Sequence, residues 1–380
     1  MSPQPASTPF PSSPLVARPP VFGPDFAPDS SSSSRSPASV REPRFPASVR
    51  EVVGRGAELD TPERGLGEHV HRALQTLHAW LRDLEASERI AAPVMVRDAR
   101  ALDALLEDLW RAATAAGVKS LLEPRFRSLL NPFFLQSATL RRTFEKPRGY
   151  AGDYLMMEAL YRNTPEGATP LARWMDEWAL ALPGFAAVRF RCRLLAELLQ
   201  AEHARGARRV LSVACGSARE LTDTAHLGFE SVDLLDQDEA AIQAATRGLL
   251  EAAGPQRSPQ VRIWPQAIRS LFRPNPPPLS DPHDVIYSIG LYDYLQGTTA
   301  RRLTEQLWRG LKPGGLLAIG NFNDKHPMHH FIEVALDWRL VYRDTPDLIA
   351  LTTTLEDVQG ARVQTDPNGC LHLLLVRKKA

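Results

Sequence analysis

Cysteine is scarce: three in 380 residues, at Cys192, Cys215 and Cys370, far apart and each in an apolar setting. That spacing excludes a disulfide or zinc framework and reads as reduced core residues of a cytoplasmic protein. No apolar run has membrane-spanning length, and the first residues lack the charged-then-apolar order of a secretion signal. An excess of one charge is missing as well. Lys and Arg number 45 against 44 Asp and Glu, a net charge of +1, so no nucleic-acid partner is implied. His326, His329 and His330 gather near Asp324. Only His326 and His330 have the i, i+4 spacing of a helical metal site and no third ligand joins them, so no metal is expected.

What is present suffices for one large or two ordinary domains, hydrophobic residues making up 43% of the chain. Residues 1–46 are rich in Pro and Ser with little periodicity, which predicts a disordered tail. PASVRE occurs twice, at residues 37–42 and 46–51, a single duplication and no repeat architecture. From about Thr61 to Gln200 the pattern is helical: His69, Ala73, Leu77, Trp80, Leu81 and Leu84 share one face, as do Leu102, Leu105, Leu106, Leu109 and Trp110. Pro93, Pro124 and Pro132 punctuate the segment, and Asp98 or Asp103 fits a first turn. The expected division is a tail over 1–50, a helical module over 51–185 forming a lid, and a second domain over 186–380, entered by a helix at Ala186–Gln200.

That second domain is organised around Arg208–Ile242. Val210, Leu211, Val213 and Ala214 form a short buried strand, and Ala214-Cys215-Gly216-Ser217-Ala218 a tight turn of small residues that a ligand can approach. After a helix-length gap, Val232–Leu235 forms a second strand that stops at Asp236, followed by Gln237. In nucleotide-binding α/β units an acid at that place, about twenty residues past the glycine, accepts hydrogen bonds from ribose hydroxyls. A dinucleotide site wants G-x-G-x-x-G, yet only Gly216 is glycine here. The turn is similar instead to motif I of class I S-adenosylmethionine (SAM) dependent methyltransferases, although Ser212 stands where that motif usually has an acid.

The α/β rhythm continues to the end. Gln260–Trp264 is a third strand, followed by Gln266, Ala267 and Ile268 where an adenine would lie. Asp284–Gly290 is a fourth, with Ser288 and Gly290 at the carboxyl end where open parallel sheets bind ligands, and Tyr292 just beyond. Thr298–Leu311 reads as a helix stopped by Lys312-Pro-Gly-Gly315, and Leu316–Gly320 as strand five. Arg362–Thr365 and Cys370–Val376 form a hairpin closed at Asn368-Gly369. A terminal antiparallel hairpin on a parallel sheet is unlike the dinucleotide fold. The expected fold is therefore α/β, a Rossmann-like class I methyltransferase sheet with a C-terminal antiparallel hairpin, preceded by an N-terminal helical module.

Inside that module, Phe144–Tyr161 reads FEKPRGYAGDYLMMEALY. Pro147 and Gly149 make a turn, and Asp153 is placed to cap the helix that follows. The same stretch offers Arg148 to a carboxylate, Tyr150 and Tyr154 to a sulfonium, and Asp153 to an amine.

With KPRGYAGDY (Lys146–Tyr154), the Leu211–Leu221 segment, GLYDYL (Gly290–Leu295), GNFNDKHP (Gly320–Pro327) and LDWRLVYRD (Leu336–Asp344), the chain resembles the 3-hydroxypalmitic acid methyl ester synthase-like group of bacterial SAM-dependent proteins. It is also similar to azetidine-2-carboxylate synthases. The resemblance implies SAM as cofactor, or as the substrate itself, and either methyl transfer to a small or lipid-like carboxylate in secondary metabolism or signalling, or cyclisation of SAM with release of methylthioadenosine. A carboxylate acceptor needs no general base, whereas cyclisation needs a neutral amine and a nearby acceptor for its proton. A non-catalytic SAM-binding regulator is the third reading, and neither an acceptor nor an oligomeric state is legible.

Overall fold

The computed structural model describes residues 62–86 and 92–380. The Pro/Ser-rich tail and the PASVRE duplication lie outside the described residues. Helices come first: α1 (Pro62–Glu85), α2 (Ala92–Ala115), α3 (Lys119–Phe134), α4 (Ala138–Glu145), α5 (Tyr154–Arg162), α6 (Pro170–Ala181) and α7 (Pro183–Ala204). Then strands and helices alternate: β1 (Arg209–Val213), α8 (Arg219–Asp223), β2 (Ser231–Asp236), α9 (Glu239–Ala253), β3 (Gln260–Pro265), β4 (His283–Ser288), α10 (Gly297–Arg309), β5 (Leu311–Phe322), α11 (His329–Leu336), α12 (Thr345–Ala350), β6 (Val358–Thr365) and β7 (Leu371–Lys378).

The seven strands form one sheet in the order β3-β2-β1-β4-β5-β7-β6. β1 to β5 run parallel, β7 is antiparallel to β5, and β6 is antiparallel to β7. This is the Rossmann-like methyltransferase sheet. β2 is buried at every position and β7 at all but its last, because each is sandwiched between neighbours and covered on both faces. The hairpin turn is held by Asp366, whose carboxylate accepts from the N–H groups of Asn368, Cys370 and Leu371. The chain reverses direction across the sheet between β1 and β4, so a crevice opens at their carboxyl ends.

Two proline expectations fail. Pro124 and Pro132 both lie inside α3, where burial of Leu122, Phe126, Leu130 and Phe134 outweighs the backbone hydrogen bond lost at each. Lys312–Gly315 ends no helix but forms an irregularity inside β5: its pairing with β4 jumps from His283 opposite Leu311 to Val285 opposite Leu316. Asp98 and Asp103 stand beyond the first turn of α2. Asp103 instead accepts the indole N–H of Trp178 at 2.7 Å, and burial pushes its carboxyl up to about 6.

The helices are joined to the sheet by a segment that sequence patterning did not single out. α11, which leaves the end of β5, inserts among α2, α3, α4 and α6 and shares their core. Phe331 packs edge-on against Phe134 at 5.1 Å and Trp178 at 5.0 Å between ring centroids. Arg127 donates to the Val334 carbonyl at 2.6 Å, and Asn131 to that of Ala335 at 2.9 Å. Removing such a ring costs about 3–5 kcal/mol. Strand ends and helices are thereby fixed relative to one another, which is what lets residues from both build one cavity.

Candidate active site

A cavity of about 340 Å³ opens at the carboxyl ends of β1, β2 and β4, beneath the segment Tyr150–Tyr161. That volume lies in the range of small-molecule sites. Its floor is the turn Ala214–Ala218, in which Ala214, Gly216 and Ala218 all have positive φ, at 54°, 53° and 45°. Small residues tolerate that backbone best, and the curl aims the Gly216 N–H at an Asp236 oxygen 2.9 Å away. The other Asp236 oxygen accepts from the Asp238 N–H at 2.9 Å. Burial holds the Asp236 carboxyl above its ordinary range, and these N–H groups do not cancel it. Each oxygen keeps a second lone pair, so Asp236 can still accept from hydroxyls in the cavity.

The roof comes from the KPRGYAGDY stretch. Gly152 lies against Tyr294 and Trp338, and an added Cβ there would meet the Tyr294 hydroxyl at 3.0 Å. Trp338 donates its indole N–H to that hydroxyl at 2.8 Å. Tyr150, Tyr154, Tyr161 and Trp338 give the cavity an aromatic lining, suited to a cation without strong hydration. The roof is latched to the floor by Ser217, which donates to Glu158 at 2.5 Å, and by the ion pair of Arg148 with Asp238.

The residues singled out in the sequence divide accordingly. Tyr150, Tyr154, Ala214, Cys215, Gly216, Ser217, Asp236, Gln237 and Gly290 line one cavity. Others are placed elsewhere. Arg148 spans to Asp238 and lies over the outer face of the Tyr154 ring, so its charge is already matched. Asp153 is fully buried as the cap of α5, accepting from the Met156 N–H at 2.9 Å and pairing with Arg142. Tyr292 points into the core on the α10 side of the sheet, 3.0 Å from the Thr304 hydroxyl, because it opens a 3-10 turn (Tyr292–Tyr294) in which successive side chains point about 120° apart. Gln266 extends the β2–β3 pairing through its N–H to the Asp236 carbonyl, and neither it nor Ala267 reaches the cavity wall, to which Ile268 belongs. Ser288 is buried within β4.

Three charged wall residues were missed: Arg191, Glu220 and Asp293. Asp293 sits between the two tyrosines of GLYDYL and is 2% exposed. It accepts from the Phe322 N–H at 2.6 Å, and burial pushes its carboxyl up to about 6, against the pull of Arg191 and Arg343. Burial also raises Glu220, which the Tyr287 hydroxyl opposes by donating to it at 2.6 Å. The signal for Arg191 was available: a lone arginine on the apolar stripe Ala187, Val188, Leu194, Leu195 of the helix ahead of β1. The arrangement offers carboxylates and aromatic faces to a cation and one guanidinium to an anion. Among the described residues no cluster of metal-ligating side chains occurs, and no helix is long and apolar enough to cross a membrane.

Compared with protein families and with curated proteins, the chain matches none at a significant level. Among solved structures it is similar to a possible exported protein from Bordetella parapertussis, with 23% identity over 60% of this chain and 80% of that one and a TM-score of 0.48. It is similar also to magnesium protoporphyrin IX methyltransferase from Synechocystis with bound SAH (10% identity, 52% of this chain, 85% of that one, TM-score 0.41). The N-methyltransferase NodS from Bradyrhizobium japonicum is a third (16% identity, 50% and 96%, TM-score 0.36). These are partial likenesses, and the fold assignment rests on the chain's own strand order.

Proposed function

We propose that the chain is an enzyme that binds SAM in this cavity and transfers its methyl group to a small acceptor, with the helices before residue 186 as the lid. The observation that carries the reading is Asp236: a buried carboxylate at the end of β2, facing the cavity beside a turn of small residues. The residues present fit the cofactor. Asp236 holds the ribose hydroxyls, Gln237 and Ile268 border the base, and the rings of Tyr150, Tyr154 and Tyr161 face the sulfonium. SAM supplies an already activated methyl carbon, which leaves the protein to align an acceptor and exclude water. The latches at Ser217 and Arg148 serve that exclusion. Because Arg148 is paired with Asp238, it is not free to clamp an acceptor carboxylate, and the acid-rich wall favours a neutral or cationic acceptor over the fatty-acid carboxylate that the resemblance implies.

The second reading, cyclisation of SAM, is favoured by Asp293. Its carboxyl, buried in an aromatic cavity and raised to about 6, supports that reading, in which it takes the proton from the ammonium of the ligand. The freed amine then forms its bond to the γ-carbon as the carbon–sulfur bond breaks and methylthioadenosine leaves. Incubating the protein with SAM, alone and with candidate acceptors, separates the readings by product. S-adenosylhomocysteine formed only with an acceptor means methyl transfer, and methylthioadenosine without one means cyclisation or lysis. Tight binding with neither product leaves a regulator.

A further inference from the structure

Among the described residues three arginines are almost fully buried: Arg191, Arg343 and Arg377, each 4–5% exposed. Two have their guanidinium donors taken up by the fold. Arg377 forms a two-pronged pair with Glu202. Arg343 donates to the Tyr292 carbonyl at 2.7 Å, to Asn321 at 2.6 Å and to the Leu295 carbonyl. Arg191 differs. It forms no ion pair with a carboxylate; its one polar contact is from Nη2 to the Met157 sulfur at 3.5 Å, and its buried Nε has no partner. A buried guanidinium without acceptors is expensive, and such groups in folded proteins are matched by a partner or by a ligand.

Its position says which. Arg191 lines the cavity, and its Nη2 lies 3.4 Å from where a Cβ on Gly290 would stand. Among the described residues it is the wall's only cation, beside Glu220, Asp236 and Asp293. We infer that Arg191 anchors the carboxylate of the cavity's ligand, so that the site takes a nucleoside carrying an amino-acid tail and discriminates against the same nucleoside without its carboxylate. This deepens the SAM reading and rests on it. The planar guanidinium suits a carboxylate with two parallel bonds, and the low-polarity surroundings strengthen them. With its Nε donor saturated, Arg191 would fix the tail, and through it the sulfur, in one orientation between the aromatic rings.

Calorimetry of the wild-type protein with S-adenosylhomocysteine, decarboxylated S-adenosylhomocysteine and adenosine tests this with ligands that do not react. The carboxylated ligand is expected to bind about 10- to 100-fold more tightly than its decarboxylated counterpart. Arg191→Gln should abolish that preference while leaving adenosine affinity unchanged. Equal wild-type affinity for the pair, or a preference that persists in Arg191→Gln, overturns the assignment. Should Arg191→Gln fail to fold, Arg191→Lys takes its place: the charge is kept and the two-pronged fork lost, so the preference should fall about tenfold, and an unaltered preference overturns the assignment equally. Failure of wild-type protein to bind adenosine or S-adenosylhomocysteine strikes the SAM reading itself, and this inference falls with it.

Discussion

Two aspartates three residues apart on β2 have opposite fates. Asp233 is fully buried in the middle of the strand, and burial pushes its carboxyl up. Hydrogen bonds from His283 (3.0 Å), Arg262 (2.7 Å) and Trp264 (2.8 Å) outweigh that and hold it below the ordinary range. Asp236, at the strand's end, is bonded to backbone N–H groups alone, and there burial wins. Both are buried acids on one strand. One is satisfied by side chains from β3 and β4 and ties the sheet together; the other keeps acceptor capacity that only the cavity can use. Mid-strand charge is thus spent on the fold, and charge at the strand end is left for a ligand.

Breaking Asp233 should give the largest effect. Asp233→Ala leaves Arg262 and His283 facing a hole, and loss of one partner from a buried ionic cluster costs about 3–5 kcal/mol. Urea denaturation should show that loss, while the folded fraction keeps the wild type's affinity for whatever ligand the cavity takes. A stability change below about 1 kcal/mol would remove Asp233 from its structural role.

Asp293 extends the cavity side of the comparison. Its carboxyl stands at about 6 in the folded chain against an ordinary value of about 3.9 in the unfolded one. The folded state therefore holds its proton longer. The stabilisation this gives is complete below about pH 4 and lost as pH rises through 6, some 2–3 kcal/mol in all. Asp233, held low, works in the other direction, and its contribution is lost as pH falls below about 4. Asp293→Asn should flatten the stability profile between pH 4 and 6 and raise the urea midpoint at pH 7. An unchanged slope in that window would mean that the carboxylate is solvated from the cavity.

Asp236 comes third. If it holds two ribose hydroxyls, Asp236→Ala should weaken SAM binding ten- to hundredfold, about 1.4–2.7 kcal/mol, with little change in unfolding. Calorimetry reporting wild-type affinity in a folded variant would end the ribose assignment.

The comparison also explains what sequence reading reaches. Strand-end positions are legible because period and length locate a strand's last residue, and the chemistry follows from that place. The turn Ala214–Ala218, Asp236 and the closing hairpin were found so. Trp338 reaches the cavity only through the packing of the chain after α11, which no local pattern encodes, whereas Arg191 carries a local signal as the arginine on the apolar stripe of α7. Tyr292 and Asp293 are adjacent, and the turn geometry after β4 decides which one enters the cavity. The helical spacing of α1 and α2 was plain, but the insertion of α11 against α2, α3 and α4 depends on contacts some two hundred residues apart, such as Arg127 with Val334.

The smallest effect concerns Asp153, which has the sequence neighbours of a site residue and the environment of Asp233. It is fully buried, caps α5 through the Met156 N–H, and takes three hydrogen bonds from the Arg142 guanidinium at 2.9–3.1 Å. It is absent from the cavity wall. Asn caps a helix about as well as Asp, so Asp153→Asn removes only the charge opposite Arg142, which is itself partly exposed. That should cost about 1 kcal/mol, whereas Asp153→Ala, which removes the cap and leaves Arg142 without its buried partner, should cost about 3 kcal/mol. Turnover per folded molecule should stay at the wild-type level in Asp153→Asn, because the Tyr150 and Tyr154 rings remain on the same turn. Thermal melts run beside product formation separate the possibilities. A tenfold loss of turnover at unchanged melting temperature would place Asp153 with Asp236, among the acids kept for the ligand.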